Sequence, residues 1–76
     1  MPTHRQRRRY VLCLSNDGYE ASLVVRKVYV ALSDSSAAKQ GLLRVVDESG
    51  DDYLYPRSAF AALKLPASVD HALAQG

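Results

Sequence analysis

The sequence predicts a mainly β, all-β type of fold: a small, strongly bent antiparallel sheet or barrel of four or five short strands, with one-turn helices in the connections. Three observations carry that expectation. Leu42 to Pro56 sets two β-prone runs around an acidic, glycine-containing turn, the pattern of a β-hairpin. Leu23 to Leu32 is the longest β-branched region of the chain. Asn16-Asp17-Gly18 interrupts the apolar runs with residues that accept positive φ.

The elements follow in order. Met1 to Gln6 lacks apolar side chains apart from Met1 and Pro2 and reads as a disordered tail. Arg8 to Ser15 is β-prone, with Tyr10, Leu12 and Leu14 on one face and Val11 and Cys13 on the other. Both faces are apolar, as in a strand buried within a sheet or barrel. After the Asn16-Asp17-Gly18 turn, the main strand is expected at Lys27 to Leu32, with Leu23 to Val25 leading in across a bend. Ser33 to Gly41 reads as a loop with one or two helical turns, capped by Asp34 or Ser35 and ended by Gly41 as a left-handed C′ residue.

The hairpin arms are expected at Leu42 to Asp47 and Asp52 to Tyr55. Glu48-Ser49-Gly50-Asp51 suits a type I turn with Gly50 in the left-handed region forming a bulge. Pro56, with no N–H to donate, closes the second arm. Arg57-Ser58-Ala59 reads as a 3₁₀ turn and Phe60 to Leu65 as a short closing strand ended by Pro66. Ser68 is placed to cap a last helical turn. The domain organisation is therefore a basic arm over 1–9, one small barrel over 10–66 and a helical turn or frayed tail over 67–76.

Composition bounds what such a chain can be. Its 76 residues make one small domain, with an expected stability of about 4–11 kcal/mol. A hydrophobic content of 47% belongs to a folded chain. The single cysteine, Cys13, excludes an internal disulfide framework. The apolar run after the N-terminal arginines is too short for a signal-peptide core, and none approaches a membrane span. These features point to a reducing, bacterial-type cytoplasm. The net charge of +2 hides an asymmetry. Arg5, Arg7, Arg8 and Arg9 give the arm its basic character, while the rest of the chain is mildly acidic, with six basic and eight acidic side chains.

Lys27-Val28-Tyr29 opening a strand, the acidic hairpin after it, and Tyr53-Leu54-Tyr55-Pro56 preceding Phe60 carry a resemblance. Over roughly residues 10–66 the chain resembles small bacterial proteins with an SH3-like barrel, many of them uncharacterised. The resemblance implies a fold and no shared catalytic residue, because such barrels host unrelated activities.

Candidate chemistry is sparse. Arg5, Arg7, Arg8 and Arg9 can neutralise phosphates, or simply form a solvated, solubilising tail. Tyr53 and Tyr55, two residues apart on a strand, share a face. With Tyr29 and Tyr19 they would make a platform for stacked bases or for a partner's apolar side chains. The competing reading has them lining a small core. Arg57, at a connection after Pro56, would extend a basic surface. Asp47, Glu48, Asp51 and Asp52 cluster in the hairpin turn, but their spacing does not match a calcium loop and acids are ordinary in turns. Cys13 has only His4 and His71 as potential bases, both near the termini.

With no cofactor, metal or catalytic set, the expected function is a non-enzymatic interaction module for a protein partner, as a monomer or weak homo-oligomer. The alternative is a nucleic-acid-associated barrel. It would use the Arg arm and the tyrosines, with Arg5, Arg7, Arg8, Arg9, Tyr29, Tyr53, Tyr55 and Arg57 as contacts.

Overall fold

In the computed structural model, residues 8–64 are described. They form five strands: β1 (Arg8–Cys13), β2 (Val28–Leu32), β3 (Leu42–Val46), β4 (Asp52–Pro56) and β5 (Phe60–Leu63). A short helix α1 (Ser35–Lys39) joins β2 to β3, and a 3₁₀ turn (Arg57–Ala59) joins β4 to β5. All pairings are antiparallel, in one sheet of order β4-β3-β2-β1-β5, so β4 and β5 are its two edges. The readings over 1–7 and 65–76, including Arg5, Arg7 and the final helical turn, lie outside the described residues.

Turn chemistry fixes the elements. The Asp34 carboxylate accepts the Ala37 N–H and caps α1, and Gly41 ends it at φ +74°. In the hairpin, Gly50 N–H donates to the Asp47 carbonyl, and Gly50 adopts φ +88°. That left-handed residue lets Asp47 and Asp51 remain bonded beyond the turn.

Every strand differs from the sequence reading at one boundary: β1 ends at Cys13 rather than Ser15, β3 at Val46 rather than Asp47, and β4 takes in Pro56. β2 begins at Val28 rather than Lys27 because Arg26 and Lys27 together face Cys13. Cys13 N–H donates to the Lys27 carbonyl while Arg26 N–H donates to the Cys13 carbonyl. That bulge needs a left-handed residue, and Arg26 supplies it at φ 72°. Leu23 to Val25 does not lead into the strand. Leu23 instead turns into the core, and Val25 and Arg26 form a turn closed by the Lys27 N–H on the Val24 carbonyl. β5 is also shorter than read, ending at Leu63.

The core lies on one face of the sheet. Val11, Cys13, Tyr29, Ala31, Val45, Tyr55 and Phe60 alternate onto it, and Leu23 and Ala59 cover it from the connections. The other face carries Tyr10, which is buried between its cross-strand neighbours Val30 and Leu63. No helix among the described residues is long and apolar enough to cross a membrane.

Candidate functional site

The two ends of the sheet differ in how their charges are used. At the hairpin end every well-buried or half-buried acid is engaged. Asp47 is the one buried charged residue among those described. One carboxylate oxygen accepts from the Ser49 N–H and hydroxyl, the other from the Tyr55 hydroxyl. Burial opposes its charged form, yet the bonds from Ser49 and Tyr55 outweigh that cost and hold its pKa below the ordinary value. Glu48 accepts from Lys27 and from the Tyr29 hydroxyl, and both bonds lower its pKa.

The same pairs act in reverse on the tyrosines. Burial, then the hydrogen bond to Glu48, pushes the Tyr29 hydroxyl up to about 12. Burial and Asp47 raise Tyr55 as well. Beyond the hairpin, Asp34 is lowered by the Ala37 N–H and by Arg44, whose guanidinium bridges Asp34 at 2.8 Å and Asp52 at 3.0 Å.

These partnerships decide the fate of the tyrosine platform. Tyr29 and Tyr55 share the core, at 5% and 4% exposure. Tyr55 meets Tyr19 edge-on at 5.0 Å between ring centroids and Phe60 at 6.2 Å. Tyr53, on the same strand face, is 52% exposed. No four-tyrosine surface forms. Tyr53 stands exposed at the hairpin end of β4, and Tyr19, itself partly exposed, covers Tyr55.

The opposite end is where β1 starts and β4 and β5 finish. It holds a hollow of about 650 Å³ with an apolar floor that includes Val11, Leu42, Leu43, Phe60, Ala62 and Leu63. Its rim carries Arg8, Arg9, Arg57 and Lys64. Among the described residues none of these four side chains makes an ion pair or hydrogen bond, and all four are exposed. Arg8 and Arg9 belong to strand β1 here, so they are held at fixed positions rather than carried on a tail.

Topology assembles this cluster. β5 pairs with β1 in the register Tyr10↔Leu63, which brings Lys64 beside Arg9. Arg57 arrives because the 3₁₀ turn leaves the end of β4, and its N–H donates to the Gly41 carbonyl at the close of α1. Lys64 had no motif to mark it in the sequence, because the signal is the pairing of distant strands.

The hollow offers positive charge and apolar contact, and the carboxylate in its lining, Asp34, is held by Arg44 and by the Ala37 N–H. Cys13 is fully buried with its thiol pushed up by burial. No cluster of three metal-ligating side chains occurs among the described residues. No family model, curated protein or solved structure matches the chain.

Proposed function

We propose that this chain is a non-enzymatic interaction module that binds a protein partner at the basic end of its sheet. One observation carries the reading: four exposed cationic side chains with no ion pair among the described residues, Arg8, Arg9, Arg57 and Lys64, line a partly apolar hollow whose one carboxylate, Asp34, is already bridged by Arg44. Fixed positive charge steers and orients an anionic partner. The aliphatic floor then rewards burial of apolar side chains. The fold we assign is of the SH3-like barrel kind. The strand order β4-β3-β2-β1-β5 and the 3₁₀ turn between β4 and β5 support it. The free thiol of Cys13 suits a reducing, cytoplasmic setting.

A nucleic-acid partner is the second reading, favoured by the arginines of the arm running directly into Arg8 and Arg9 at the rim. It is the weaker one, because stacking surface and positive charge lie at opposite ends of the sheet. Affinity capture distinguishes the two, with the wild-type chain and an Arg9→Glu, Arg57→Glu, Lys64→Glu variant as baits, each with and without nuclease. The module reading expects proteins retained by the wild type, lost from the variant and indifferent to nuclease. Loss on nuclease treatment would favour nucleic acid, and identical capture by both baits would remove the basic end from consideration.

A further inference from the structure

Resting on that reading, we infer that the partner's contact is an acidic, extended segment that adds, as a sixth strand antiparallel to β5, to the edge of β5 that no strand among the described residues pairs. In an antiparallel ladder, alternate residues turn their N–H and C=O toward one neighbour and the rest turn them away. Leu14 N–H donates to the Ala59 carbonyl, which marks that pair as bonded. By alternation Ala61 and Leu63 then bond β1, while Phe60, Ala62 and Lys64 point their backbone groups outward. Phe60 N–H is already given to the Arg57 carbonyl. The Phe60 carbonyl and both groups of Ala62 remain for an added strand, and Ala62 is exposed.

The opposite edge suits an acidic strand less well. By the same alternation β4 turns Asp52, Leu54 and Pro56 outward, since Asp47 N–H donates to the Asp51 carbonyl. Pro56 has no N–H, and Asp52 adds negative charge to that edge. Edge chemistry therefore selects β5, and charge selects the occupant. A partner residue opposite Ala62 shares its face and points at the hollow over Phe60. Residues two positions to either side point the same way, toward Lys64 at one end and Arg57 at the other. An apolar residue flanked at that spacing by two acids fits the hollow's floor and rim.

The test is a titration of the isotope-labelled chain with a capped peptide containing Glu-Thr-Val-Thr-Glu, followed by amide chemical shifts. Comparison peptides replace both Glu by Lys or methylate the valine nitrogen. The inference expects saturable shifts centred on Ala62 and Lys64. It expects affinity about tenfold weaker for the N-methyl peptide, which loses one main-chain bond and meets steric hindrance. It also expects a similar or greater loss on Arg57→Glu with Lys64→Glu, with an unchanged thermal midpoint to show that the variant is folded. Equal binding of the N-methyl peptide would overturn the edge-strand geometry while leaving the interaction-module reading intact. Equal binding of the Lys peptide, absence of saturable shifts, or displacement of the Glu peptide by short single-stranded DNA would overturn the acidic-segment inference.

Discussion

The two edge strands of this sheet are nearly equal in length and opposite in character. β4 ends in a proline, borders an acidic turn, and leans on that turn: its Tyr55 hydroxyl holds the buried Asp47. β5 ends at Leu63 and runs into Lys64, borders arginines that have no ion pair among the described residues, and leaves Ala62 exposed. The difference teaches where charge serves stability and where it is spare. Around β4 the key acids are tied into hydrogen bonds that fix a turn and two core tyrosines. Around β5 the cationic side chains make no ion pair or hydrogen bond among the described residues, as the proposed binding surface requires.

Breaking the β4 side should give the largest effect. Tyr55→Ala removes a core ring together with its contacts to Tyr19 and Phe60. It should cost about 3–5 kcal/mol in a urea melt, enough to unfold much of a domain this small. Tyr55→Phe keeps the ring and strands one oxygen of Asp47. It should cost about 1–3 kcal/mol.

The pH profile sharpens the same contrast, with its sign fixed by the shifts. Asp47, Glu48 and Asp34 have folded pKa values below their ordinary 3.8, 4.5 and 3.8. Their contribution is present above those values and is lost as pH falls through the lower folded ones. The Tyr29 hydroxyl, raised from 10.0 to about 12, acts oppositely. Its contribution is complete below pH 10 and is lost as pH rises toward 12. Denaturation midpoints should be flat between these windows and fall on both sides. In Tyr29→Phe the alkaline fall attributable to this group should disappear.

Two smaller effects complete the series. Arg26→Gly should raise stability by up to about 1 kcal/mol, because glycine accepts φ 72° without the left-handed penalty while the bulge beside Lys27 persists. On the β5 side, Arg57→Ala and Lys64→Ala should each change stability by no more than about 0.5 kcal/mol. A larger cost from either would show that the rim is structural after all.

What the sequence made legible follows the range of the interaction. The hairpin, the Asp34 cap and the endings at Gly41 and Gly50 were readable because each depends on a residue type at a local backbone geometry. The Arg26 bulge was not, since nothing about arginine announces a left-handed residue. Period-two spacing put Tyr53 and Tyr55 on one face correctly. It could not say that one lies past the core's border and the other beneath Tyr19. The basic end was half visible: Arg8, Arg9 and Arg57 stood out as charges, but only the pairing of β5 with β1 brings Lys64 to them and opens a hollow between.

The claim that positive charge around β5 is reserved for binding meets its most direct test in one binding isotherm. The acidic strand peptide is titrated into the Arg57→Glu, Lys64→Glu variant at the same salt concentration as the wild type. An affinity at least about tenfold weaker is predicted, from the loss of two charge-assisted contacts. Affinity equal to that of the wild type would contradict the account.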